Sequence, residues 1–260
     1  MAEAIGGRKV FFLYPPSVVQ DELLWEVVRH EYEVYVLKDH QRARALLAGY
    51  PDSILFVHID AELKESEWES YIRDIIENDR YPDVRVGILS YNNDESLARK
   101  YLMDIGVSAG FIKLSLGLKE STDIVLRALE ANEARGRRKY VRAKTDDPSA
   151  PARFNVKIDG ELKTGIIRDI SSVGMACTFD GFVNLQERSY LPDIQLKLRG
   201  GLTTVSGVVT GVRRDEQPIY VVMFDPRAHP EARNRIRHFV HRYLQQRIEQ
   251  EMGALQSPAS

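Results

Sequence analysis

ARFNVKIDGELKTGIIR, residues 152–168, decides how the second half of this chain folds. Two runs that alternate apolar and polar residues meet at Asp159-Gly160, a dipeptide suited to a two-residue hairpin because both central positions take positive φ. DIQLKLR (193–199) then reaches Gly200-Gly201, LTTVSGVVTGVRR (202–214) follows, and IYVVMF (219–224) stops at Asp225-Pro226. Closely spaced antiparallel strands of this kind predict a small closed barrel, since closure removes unpaired strand edges. Helical periodicity returns only at the end. There Pro230 suits a first turn, and Ile236, Phe239, Val240, Leu244 and Ile248 fall on one face expected to pack on the barrel.

The first half has a different grammar. The apolar runs KVFFLY (9–14), EVYVLK (33–38), SILFVHID (53–60), VRVGILS (84–90) and GFIKL (110–114) alternate with amphipathic stretches near 18–30, 42–48, 67–78, 96–105 and 119–135. Near-continuous apolar strands separated by helices predict a parallel sheet covered on both faces, hence a doubly wound α/β domain. The fold class is therefore α/β plus all-β. The expected divisions are an α/β domain at 1–135, a linker at 136–150, a barrel with its C-terminal helix at 151–252, and a flexible tail at 253–260.

At 260 residues, two domains are the natural reading, and 43% hydrophobic with 28% charged residues is globular composition. The only early apolar run is four residues long and meets Pro15-Pro16, so neither a signal peptide nor a membrane span is expected and the protein reads as cytoplasmic. The single cysteine, Cys177, excludes an internal disulfide and is expected to be a buried apolar residue. No metal site is expected. His238 and His241 share a helical face but have no acidic or thiol companion nearby in sequence.

Charge is distributed unevenly. Residues 1–135 hold 16 basic against 24 acidic side chains, a balance of −8, whereas residues 136–260 hold 20 against 14, or +6. The basic half opens with RRKYVR (137–142), where four cations crowd into six positions with no carboxylate among them. Such a cluster suits an anionic partner. Twenty-six residues lie between Arg142 and Asp169, which begins DISSVG (169–174) at the end of the strand starting near Leu162. Alone, D-x-S-x-x-G reads as a strand-end turn, with Asp and Ser bonding backbone and Gly taking positive φ. Joined to R-x-x-x-R at the start of a short barrel, it becomes far more specific.

The pair of motifs resembles the PilZ domain, the bacterial receptor module for cyclic di-GMP, from about Arg137 to the C-terminal helix. Arg138 and Arg142 match R-x-x-x-R, while Asp169, Ser171 and Gly174 match D-x-S-x-x-G. The resemblance implies ligand binding without catalysis or cofactor, in control of motility, biofilm or virulence; because RRKYVR also joins the two halves, the signal is expected to pass by interdomain rearrangement or through an unidentified protein partner. The basic residue before the motif, Arg137, implies an intercalated pair of ligand molecules rather than one. The chemistry agrees with these assignments. Arginine can fork onto a phosphate or the O6/N7 edge of guanine and can stack on the base. Asp169 can accept from guanine N1–H and N2–H₂, Ser171 adds a donor or acceptor, and Gly174 leaves room for close approach. Arg168 is a further possible contact, expected to alternate outward.

The first half resembles the response-regulator receiver, a flavodoxin-like fold, with Asp60 at the end of the third strand, Ser90 after the fourth and Lys113 on the fifth. Phosphotransfer to a carboxylate also needs a divalent cation held by acids after the first strand, and that place reads Leu13-Tyr14-Pro15-Pro16. Asp21 and Glu22 fall inside the next helix, and Leu114 replaces the usual proline. A receiver-like domain that no longer accepts phosphate is expected. The competing readings are a barrel that binds single-stranded nucleic acid, although its aromatics look dispersed, and a phosphorylation-responsive scaffold.

Overall fold

A computed structural model describes residues 6–145, 151–199, 201–213, 217–227 and 229–255. Gly200, part of the expected second turn, and most of the expected tail lie outside the described residues. Two compact units emerge, one of residues 1–139 with 244–260, the other of residues 140–243.

The first unit is built on five parallel strands, β1 (Val10–Leu13), β2 (Val34–Leu37), β3 (Ile54–His58), β4 (Arg85–Ser90) and β5 (Phe111–Lys113), in the order β2-β1-β3-β4-β5. That order is the flavodoxin-like doubly wound arrangement. Both faces are covered, which is why the strands read as unbroken apolar runs. Phe11, Leu13, Tyr35, Leu55, Val57 and Ile88 pack beneath helices α2 (His40–Leu47) and α3 (Glu65–Glu77). Val10, Phe12, Val34, Ile54 and Phe56 pack beneath α1 (Leu24–Arg29) and α5 (Leu118–Ala131). Helix α2 starts where Asp39 accepts from the backbone N–H groups of Gln41 (3.0 Å) and Arg42 (2.9 Å), an N-cap that satisfies two otherwise unpaired donors. Between β4 and β5, α4 (Glu95–Arg99) runs on into a π-helical turn, Lys100–Ile105.

The second unit is antiparallel. Strands β7 (Arg153–Ile158), β8 (Glu161–Ser171), β9 (Gly174–Phe179), β10 (Tyr190–Leu198), β11 (Gly201–Arg213) and β12 (Ile219–Phe224) close into a six-strand barrel, because β8 pairs with β9 as well as β7. Phe154, Val156, Ile167, Ile170, Cys177, Leu196, Val209 and Val222 fill its interior. The β7–β8 turn is the one anticipated, with Asp159 at φ 51° and Gly160 at φ 84°. Burial pushes the Cys177 thiol up to about 12, so it stays a neutral apolar filler.

Two features depart from the sequence reading. The expected linker contains a strand, β6 (Arg142–Lys144), which adds to the end of β8. The C-terminal helix α6 (Pro230–Ala254) also divides its apolar face. Its early turns, with Ile236, Phe239 and Val240 buried, group with the barrel, and Arg235 donates to the Leu202 carbonyl at 3.3 Å. From Leu244 onward it belongs to the α/β unit, where Ile248 and Met252 enter the core beside Tyr35 and Leu47. Gln245 explains the placement. Its carboxamide accepts from Val36 N–H (2.9 Å) and donates to Val36 C=O (2.9 Å), standing in for a neighbouring strand on the open edge of β2. Tyr50 donates to Glu251 at 2.7 Å on the same side.

Gly174 has a packing role that the motif reading did not supply. It is absent from the positive-φ glycines, and a Cβ there would stand 2.6 Å from the Val222 carbonyl oxygen on β12. Close β9–β12 pairing therefore requires glycine irrespective of any ligand.

Both tryptophans, Trp25 and Trp68, belong to the α/β unit, so their fluorescence reports on it alone. Ile248→Ala is expected to lower the stability read by tryptophan in urea by about 2–4 kcal/mol; an unchanged transition would detach the helix end from this core. Gly174→Val should destabilise the barrel by about 1–3 kcal/mol. That loss is readable as faster alkylation of Cys177, the chain's only cysteine.

Candidate functional site

Strand β8 ends in a two-residue hairpin, Ser172-Val173, closed by the pair Ser171–Gly174. Neither turn residue has positive φ, so the turn lacks the backbone twist that favours short hairpins. Ser171 compensates. Its hydroxyl, buried at 3% exposure, lies 3.4 Å from Val173 N–H as acceptor and 3.3 Å from the Gly174 carbonyl as donor. Ser171 thus holds the turn that carries Asp169 to the barrel rim.

β6 lies antiparallel on the free edge of β8, with Arg142 opposite Ser171, Ala143 opposite Ile170 and Lys144 opposite Asp169. Its pattern explains why three residues suffice: Ala143 and Thr145 are buried, Arg142 and Lys144 exposed. Thr145 N–H donates to the Arg168 carbonyl at 2.9 Å, and its hydroxyl donates to the Ile167 carbonyl. Opposed residues share a face. Arg142, Lys144 and Asp169 therefore stand together outside the barrel, with an Arg142 nitrogen 3.6 Å from Asp169 Oδ1. Arg142 is 47% exposed and Asp169 24%, an ion pair open enough for solvent to screen.

The structure brings together Arg142, Asp169, Ser171 and Gly174. Arg137 and Arg138 are exposed in the segment leading to β6, on the α/β side of the division at 139/140, and Arg168 is exposed on β8. Lys144 escaped the sequence reading, because it looked like one more charge in a polar linker. Its signal was the alternation in Arg142-Ala143-Lys144-Thr145.

In the α/β unit, Asp60 is already engaged. Ser90 Oγ donates to Oδ1 at 2.7 Å, Tyr91 N–H donates to Oδ2 at 2.6 Å, and His58 Nε2 lies 3.4 Å from Oδ2. Lys113 pairs with Glu95 at 2.9 Å. After β1, Tyr14 takes φ 53° and its hydroxyl meets His40 Nδ1 at 3.1 Å. Among the described residues no cluster of three or more His, Cys, Asp or Glu is arranged to hold a metal ion, and no helix is long and apolar enough to cross a membrane.

The family model of the PilZ domain matches residues 136–242. No curated protein matches the chain. Among solved structures, the PilZ domain with c-di-GMP of YcgR from Escherichia coli is 15% identical with a TM-score of 0.39, covering 46% of this chain and 99% of that one. The K. pneumonia MrkH–c-di-GMP complex is 22% identical with a TM-score of 0.39, covering 46% of this chain and 57% of that one. The chain thus spans little more than half the length of MrkH. A signal receiver domain of an HD domain-containing protein from Pseudomonas fluorescens Pf-5 is 16% identical with a TM-score of 0.39, covering 48% of this chain and 97% of that one. With the family model spanning both motifs and the barrel that carries them, residues 136–242 of this chain are a PilZ domain.

Proposed function

We propose that this chain is a receptor for cyclic di-GMP and not an enzyme, binding the dinucleotide on the outer rim of the barrel where β6 meets β8. One observation carries the reading: the extra strand sets Arg142 within 3.6 Å of Asp169, joining the two PilZ motifs on one exposed face. The chemistry of the ligand supplies the rest. Arg142 and Arg138 provide guanidinium forks for phosphate and for the guanine edge, and Arg137 adds charge to neutralise a second, intercalated molecule. Asp169 accepts from guanine N1–H and N2–H₂. Ser171 holds the turn, and Gly174 keeps β9 against β12 while presenting no side chain to the ligand.

Capture of the dianionic ligand orders the segment that enters β6 and shifts the population of chain conformations, provided the ligand favours one of them. The message then passes through interdomain rearrangement or through an unidentified protein partner, in motility, biofilm or virulence control, in the cytoplasm. The receiver-like unit serves as a protein-contact module without phosphotransfer. Its Asp60 is held by Ser90 and Tyr91, with His58 Nε2 3.4 Å away, and the position after β1 offers Tyr14 and prolines where a divalent cation needs carboxylates.

Calorimetry tests the receptor reading. Wild-type chain should bind cyclic di-GMP at micromolar or tighter affinity, about 8 kcal/mol or more. Arg142→Ala and Asp169→Ala should each weaken binding roughly tenfold or more, since hydrogen bonds to charged groups contribute about 1.5–3 kcal/mol. Two ligands per chain, reduced by Arg137→Ala, would support the intercalated pair; a silent wild type would remove the proposal. Incubation with acetyl phosphate and Mg²⁺ should leave the intact mass unchanged, and a phosphoryl group mapped to Asp60 would restore the phosphorylatable receiver.

A further inference from the structure

Strand register extends the candidate site across two further strands. Continuing the row from Arg142 and Ser171 leads to Gly174 on β9 and then to Met223 on β12. The neighbouring row runs from Lys144 and Asp169 to Ala176 and then Val221. Residues directly opposed across a ladder project to one side, and the flanking Ile170, Met175 and Val222 are all buried, so both rows project away from the barrel core, with Ser171 itself covered at 3% exposure by the turn it braces. A closed six-strand barrel is convex, and its outward side chains splay apart. On these two rows the middle strand carries only Gly174 and Ala176, the next residue on the same face being the buried Thr178, which leaves a shallow floor between the charged wall of β8 and β6 and the apolar wall of β12.

Met223 is the unexplained member. It is 54% exposed on a strand whose neighbours Val222 and Phe224 are buried, so the barrel core does not account for it. At about 4.8 Å per strand, its backbone stands about 10 Å from that of Ser171. Thioethers are polarisable and pack well on aromatic planes.

We propose that Met223, with Val221 beside it, is the apolar wall of the ligand site, on which a guanine ring of the bound dinucleotide rests after crossing the Gly174–Ala176 floor from Arg142 and Asp169. The inference builds on the receptor reading above. It commits to a base as occupant because a flat ring suits a shallow floor, one continuous with cations suited to the phosphates of the same molecule. Lys144, opposite Asp169, adds a point charge at the other end.

The test combines binding with chemical protection on the full chain. Met223→Ala should weaken cyclic di-GMP binding about fivefold or more with an unchanged unfolding midpoint, and Met223→Leu should restore most of the affinity. Saturating cyclic di-GMP should slow peroxide conversion of Met223 to its sulfoxide, followed by peptide mass spectrometry, in wild type but not in Arg142→Ala. Wild type that binds, and loses binding with Arg142→Ala, yet shows normal affinity in Met223→Ala and no protection of Met223, would overturn this inference and leave the receptor reading intact. Wild type that does not bind cyclic di-GMP would overturn both.

Discussion

Strand β8 has two edges, and the barrel depends on how they are shared. One edge is taken by β9 in the hairpin that closes the ring. The other is taken by β7 from Glu161 to Ile166 and, beyond the point where β7 ends at Arg153, by β6 from Asp169 to Ser171. Buried backbone donors and acceptors must find partners, so the last residues of an eleven-residue strand recruit the nearest chain segment able to supply them. That segment carries Arg142. An arginine remote in sequence from Asp169 is thereby held beside it by backbone hydrogen bonds, with no need of a strong side-chain interaction.

The same economy separates residues that shape the site from residues free to meet a ligand. Ser171 and Gly174 are occupied: the hydroxyl braces a turn without positive φ, and the missing Cβ lets β9 lie against the Val222 carbonyl. Arg142 and Lys144 are exposed, and Asp169 is half-buried between them. In the α/β unit Asp60 resembles the first group more than the second. Its two oxygens accept from Ser90 and Tyr91, and His58 Nε2 lies 3.4 Å from one of them. A carboxylate bonded in this way, though still in contact with solvent, ties the end of β3 to β4.

The sequence disclosed most where burial was two-sided or the turn chemistry distinctive. Five apolar runs gave the parallel strands because neither face sees water, and Asp159-Gly160 announced its hairpin through a backbone conformation that few residues accept. GMACTF did not read as a strand, since the positions alternating with its core residues are Gly174, Ala176 and a buried Thr178, and exposed polar side chains are missing. The three residues of β6 were submerged in a run of charge. The C-terminal helix shows the deeper limit. Ile236 through Ile248 form one continuous stripe, but periodicity names a buried face without naming what buries it, and here the two ends serve different cores. Gln245, which ties the far end of the helix to β2, gave no warning, because a carboxamide that mimics a strand has no signature in sequence.

Electrostatics decides how readily the rim can exchange partners. An open ion pair at 3.6 Å between side chains 47% and 24% exposed contributes at most about 1 kcal/mol. A bidentate phosphate or guanine edge offers Arg142 shorter, better aligned acceptors than Asp169 does, and Asp169 released from the arginine gains guanine N–H donors in return. If the proposed ligand inserts between them, each partner of the weak pair would therefore improve its hydrogen bonding. On the proposed reading, the surplus of six positive charges in residues 136–260 would favour the approach of such an anion before any specific contact forms. A buried, well-matched Arg–Asp pair would have resisted this exchange, because separating it strands charge away from water. Partial exposure of the pair is thus what would keep the rim receptive on the proposed reading, while the backbone pairing of β6 to β8 would hold both residues in place as their partners changed.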